Sequence, residues 1–158
     1  MGTKGRATVT VAVVLLASLL GGAQGNPDFS GTWTQTSPQL SGDSSQIERI
    51  SQKGKEISVD VESKSSFGAM GASYRGDHTY TIGGPAESKK DLEGRVRAVA
   101  VSWDGPRLVF IRTTTEGANT TIVREAWSLM DDGTFLIKDR RTTDWRGTRD
   151  EQIVLRRN

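Results

Sequence analysis

The sequence predicts an all-β protein: a single antiparallel meander of eight or nine short strands closing into a β-barrel. Three observations lead there. Short β-rich runs alternate with glycine-containing turns, the signature of hairpin-connected strands. No stretch after the first 25 residues carries the periodicity of a long amphipathic helix. Asp-Gly pairs stand between β-rich runs at Asp104-Gly105 and Asp132-Gly133, and Asp-Gly is a strong local hairpin signal. Composition agrees. Glycine supplies 18 of 158 residues and hydrophobic residues only 34%, which suits many turns around a modest core.

The strands follow in order. After the lead-in Asn26-Pro27-Asp28, Gly31 to Thr36 forms the first, and the polar segment Ser37 to Ser45 is a loop. Gln46 to Ser51 and Glu56 to Glu62 form a hairpin about Lys53-Gly54. Ser63 to Ser73 reads as loose chain, with Phe67 and Met70 turned inward, and Ser73 to Ile82 is the next strand. Gly83-Gly84-Pro85 stops it. The polar interruption to Glu93 has room for a short helix near Ala86 to Leu92. The rest is regular: Arg95 to Trp103, Arg107 to Thr115, Thr120 to Met130, Thr134 to Thr143 and Arg149 to Arg157.

Closure into a barrel removes the exposed edges of such a meander. Eight strands enclose room for packed side chains or one small ligand. Side-chain alternation places Glu125 on the face of Trp127 and Leu129, and Asp139 and Arg141 on the face of Ile137. Charge enters both faces as each strand leaves its apolar end, so the barrel is expected to have one packed end and one wetter end. Where charged positions face inward they require partners, as a polar pocket floor or an ion-pair network; facing outward they are ordinary solvated charges.

Lys4 and Arg6, the apolar run Ala7 to Leu20 and the small, polar tail Gly21 to Gly25 have the order of a secretory signal peptide. The expected segment is residues 1–23, with cleavage as late as residue 25, and residues 26–158 form the barrel domain. The run is shorter than the roughly 20 residues a membrane span needs. The expected product is therefore exported, periplasmic or extracellular, with no stable membrane span. Loss of Lys4 and Arg6 takes the 21 basic and 19 acidic residues to 19 of each. A neutral domain argues against a nucleic-acid partner. With no cysteine and one histidine, His78, Cys-ligated and multi-histidine metal sites are excluded. No cofactor motif is present, and no Gly-x-Ser-x-Gly elbow or readable triad marks a catalytic residue. Asn119-Thr120-Thr121 matches an N-glycosylation acceptor.

The mature start, Asp28-Phe29-Ser30-Gly31-Thr32-Trp33, resembles the lipocalin and wider calycin group through Gly31-x-Trp33 on the first strand. It is also similar to small secreted bacterial proteins of unassigned role that open with the same six residues. The resemblance implies a lipocalin-like barrel. In it Gly31 gives a tight start, Trp33 plugs the closed end, and Arg156 or Arg157 covers that tryptophan. It further implies a carrier or sequestering protein for small apolar molecules.

Three functions follow as expectations. The first is an exported module holding a small apolar or amphipathic ligand, with Trp103, Phe110, Trp127 and Phe135 as lining and His78, Tyr80 and Glu125 as polar contacts. Each aromatic side chain could equally be core. The second is an enzyme on the same scaffold, such as an isomerase, cyclase or hydrolase, using a polar cluster around His78. Tyr74, His78 and Tyr80 share strand parity, and a histidine beside a tyrosine and a carboxylate can shuttle a proton. The third is an envelope structural or interaction protein. The sequence assigns no oligomeric state.

Overall fold

A computed structural model describes residues 25–158 apart from 41, 43, 68 and 69, with side chains left aside for residues 66–71. The expected signal segment 1–23 and the inward placement of Phe67 and Met70 lie outside the described residues.

Ten strands form one antiparallel sheet: β1 (Gly31–Ser37), β2 (Ser45–Lys53), β3 (Glu56–Phe67), β4 (Met70–Thr81), β5 (Glu87–Lys90), β6 (Val96–Asp104), β7 (Arg107–Glu116), β8 (Asn119–Met130), β9 (Phe135–Asp144) and β10 (Gly147–Arg157). Their spatial order is β4-β3-β2-β1-β10-β9-β8-β7-β6-β5. The first and last strands are therefore partners inside the sheet, with Trp33 opposite Arg157. The turns are short because glycine starts them: Gly54, Gly105 and Gly117 have φ of 60°, 60° and 58°, a region that costs glycine nothing. A 3-10 turn, Asp131–Gly133, links β8 to β9.

Two local expectations change. The short helix near Ala86 to Leu92 is instead β5, four exposed residues paired with Val96–Val99. The loose chain at Ser63 to Ser73 is instead the far part of the β3–β4 hairpin, paired residue for residue out to Phe67 and Met70. Ladder hydrogen bonding extends that hairpin well beyond its apolar stretch.

The closed eight- or nine-stranded barrel is not what forms. The ten-stranded sheet curls through 276° and stops as an open half-barrel whose edges, β4 and β5, stand 8 Å apart. Hydrogen-bonded strands lie roughly 4.8 Å apart, so these edges are not paired. The cause is local. β5 is short, exposed and charged (Glu87, Ser88, Lys89, Lys90), features that keep an edge from pairing. Past the end of β5, the β4 side meets β6. Ile82 bridges Val101 in parallel, and the Gly83 N–H donates to the Val101 carbonyl at 2.7 Å.

The concave face of this end is a packed floor. Phe29, Trp33, Ile50, Ile57, Leu108, Phe110, Trp127, Leu136 and Leu155 are buried there in one cluster. Val61, Tyr80, Val99, Trp103 and Leu129 pack against its margin, half-buried.

Candidate functional site

The closed end is built on β1. Gly31 has φ 145°, a conformation that strains any other residue. It leads to Trp33, which is fully buried and donates its indole N–H to the Phe29 carbonyl at 2.9 Å. The guanidinium over this ring is that of Arg157, 4.4 Å from the ring centre. Arg156, the other candidate, pairs with Thr34. Strand alternation puts it on the opposite face from Arg157. Arg157 also donates from Nε to the Gly133 carbonyl at 2.9 Å. A surface cleft of about 490 Å³ lies here, bordered by Asp28, Leu129, Asp132, Thr134, Arg157 and Asn158.

Three of the four aromatic residues singled out from the sequence come together in the floor. Phe110 and Trp127 are fully buried, with ring centres 4.4 Å apart. Phe29 stacks on Trp103 at 6.1 Å and meets Trp127 edge-on at 5.8 Å. They fill the floor. Phe135 does not join them, because Leu136 takes the concave side of β9 and alternation turns Phe135 outward.

Directly above the floor the concave face becomes ionic. Glu125, fully buried, accepts from Trp127 Nε1 at 2.7 Å and from Arg140 Nε at 2.7 Å. The Arg112 guanidinium lies 3.6 Å from the same carboxylate, and Arg140 also pairs with Glu151 at 3.3 Å. Burial by itself would push the Glu125 carboxyl up. Lys138, Arg112, Arg140 and the indole N–H outweigh it and hold the group down at about 2, because a favoured charged form lowers a carboxyl pKa. Beside it, Lys138 donates to Glu48, which also accepts from Gln46 at 3.0 Å. Lys138 stands 4.0 Å over the Trp127 ring. One indole thus carries an anion at its edge and a cation on its face, matching the ring quadrupole. No buried side-chain polar atom among the described residues lacks a hydrogen-bond partner.

Sequence reasoning identified Glu125 but not Arg112, Arg140, Lys138 or Glu48. Parity was the available signal. Arg112 lies two residues beyond Phe110, and Lys138 and Arg140 lie two and four beyond Leu136, so each shares the face of a floor residue. Asp139 and Arg141 point outward, where Arg141 pairs with Asp150 at 2.7 Å.

The opposite wall belongs to β3 and β4. The Tyr80 ring meets Phe110 edge-on at 5.5 Å. Burial pushes the Tyr80 phenol up, against the pull of the neighbouring Arg112 charge. His78 continues the same side, its ring 6.1 Å from Tyr80, and is exposed. Asp77, one residue before it, falls on the other face by alternation. Tyr74 folds back over Gly76, where a Cβ would lie 2.9 Å from the phenol Cζ. Among the described residues, no group of three or more His, Cys, Asp or Glu side chains is placed to hold a metal ion. No helix among them is long and apolar enough to cross a membrane.

The result is a cup with an apolar base and two unlike walls. Arg112 and Arg140, each about one-third exposed, rise from the ionic layer on one side. Val61 and Tyr80, half-buried, face them, and Val99 stands beside Arg112 on the neighbouring strand. The arrangement offers cations to an anionic head and aromatic or aliphatic surface to a small apolar body.

No protein-family profile matches the sequence, and no curated protein matches it significantly. Solved structures match the fold. A secretary abundant heat soluble protein from Ramazzottius varieornatus aligns with a TM-score of 0.55 at 11% identity, over 82% of this chain and 94% of its own. The zebrafish ileal bile acid-binding protein, solved with cholic acid, aligns with a TM-score of 0.53 at 14% identity, over 82% and 98%. Secretory abundant heat soluble protein 4 from Ramazzottius varieornatus gives 0.53 at 11% identity, over 82% and 94%. The chain shares an antiparallel β-sheet fold with these structures, the bile acid-binding protein among them.

Proposed function

We propose that this protein is an exported carrier for a small amphipathic anion. The carrying observation is the pair Arg112 and Arg140, held by buried Glu125 and still partly exposed to the cup, with Val61 and Tyr80 across from them and Val99 beside Arg112. The ligand rests above the ionic layer, because the base is filled by Phe29, Trp33, Phe110 and Trp127. Its anionic group takes charge-assisted hydrogen bonds from the guanidinium groups. Its apolar body covers the β3–β4 wall, which supplies most of the burial. Export rests on the basic–apolar–polar order of residues 4–25. The fold shared with a protein solved with cholic acid adds support of an architectural kind.

The test is a fluorescence titration with cis-parinaric acid, an unbranched fluorescent carboxylate. Saturable binding is expected, weakened at least tenfold by Arg112→Gln. Absence of saturable binding overturns the proposal, as does equal binding by the variant.

A further inference from the structure

Taking the binding reading as its premise, we infer that the slit between β4 and β5 is the passage by which ligand reaches the cup. The slit has a defined width. Its edges stand 8 Å apart. A β-strand inserted between them needs roughly 9.6 Å, two strand spacings. A single carbon chain touching both edges needs roughly 7–8 Å, twice the optimal carbon–carbon contact. The opening is thus too narrow for an inserted polypeptide strand and comparable in width to one chain of carbon atoms.

The slit is closed at one end and free along the rest. Ile82 and Gly83 fasten β4 to Val101, and Thr81 Oγ1 reaches Glu87 Oε1 at 3.5 Å. Beyond that point β4 and β5 form no ladder. The concave-side residues along this edge, Tyr80 and His78, belong to the wall facing Arg112. A chain crossing here arrives between the two walls of the cup. The β5 side is also the less constrained. It is four residues long, pairs only with β6, and lies between Gly83 (φ 72°) and Gly94 (φ 83°), residues that tolerate backbone rearrangement.

The chain contains no cysteine, so a thiol pair placed across the slit is unique. Thr79→Cys and Lys89→Cys lie two residues along each edge from the Thr81–Glu87 contact. At this spacing a disulfide is too short, so a short bis-maleimide spans the pair, and N-ethylmaleimide caps the control. Stopped-flow mixing with cis-parinaric acid reads the association rate, and titration after full equilibration reads affinity. The bridged protein is expected to associate at least tenfold more slowly than the capped one, with equal affinity. An unchanged association rate overturns the passage while leaving the binding reading intact. So does reduced affinity without a slower rate. Absence of binding by the wild-type protein overturns both. Asp77→Cys with Lys90→Cys, bridged in the same way, repeats the test with Thr79 and its hydrogen bond to Ser58 preserved.

Discussion

Replacing Lys138 with methionine asks how dry the ionic layer is. Lys138 and Glu48 are each 3% exposed and pair with one another. Methionine keeps most of the aliphatic bulk and leaves Glu48 with only the Gln46 amide. Breaking one side of a buried pair costs about 3–5 kcal/mol, since a charge is left without its counterion. The contact of Lys138 with the Trp127 face adds to that loss. Small domains lose about 1–3 kcal/mol of stability per molar urea, so a loss of about 4 kcal/mol lowers the urea midpoint by roughly 2 M. Adding Glu48→Leu removes the stranded charge. Buried ion pairs replaced by apolar residues are often neutral in stability, so the double variant is expected within about 1.5 kcal/mol of wild type. The assay is equilibrium urea unfolding followed by tryptophan fluorescence and by circular dichroism. A single variant that loses less than about 1 kcal/mol, or a double variant no better than the single, refutes the reasoning.

Two further outcomes are expected. Glu125 sits at about 2 in the folded protein against 4.5 ordinarily. On acidification the unfolded chain therefore takes up this proton first. The stabilisation is complete above the unfolded value and is lost as pH falls toward 2, by at most about 3 kcal/mol. Urea unfolding from pH 5 to pH 2 should show a smaller acid loss for Glu125→Gln than for wild type, and parallel pH profiles would exclude this role. Gly31→Ala should lower stability by more than about 1 kcal/mol, because φ at this position is positive. Gly54→Asn, at φ 60° on an open hairpin tip, should lower it less, since asparagine tolerates that region; thermal unfolding compares the two.

The regular strands were legible because their signals are local. Asp104-Gly105 sits where β6 turns into β7, and alternation puts Glu125, Trp127 and Leu129 on one face. Gly31 and Trp33 announced the plugged end, though the choice between Arg156 and Arg157 needed the β1–β10 register. Local signals do not encode where a curled sheet stops. Ser88-Lys89-Lys90 reads as polar connection, and its pairing with β6 depends on curvature set elsewhere. The cup was half legible. Glu125 was singled out for its position beside Trp127. Its partners Arg112 and Arg140 come from other strands, and only the assembled register brings the three together. Phe110 and Trp127 show the opposite error: strand aromatics suit both a lining and a filled base, and burial decides.

The pairing of β1 with β10 has a consequence for how the molecule is made. Until residues 147–157 have left the ribosome, β1–β4 and β5–β9 are two separate meanders, joined in the finished fold by β10 and, across the open edge, only where Ile82 and Gly83 meet Val101. Joining them means bringing together segments more than a hundred positions apart, a slow kind of encounter. A chain shortened by residues 147–158 therefore loses the seam between its two halves along with one strand.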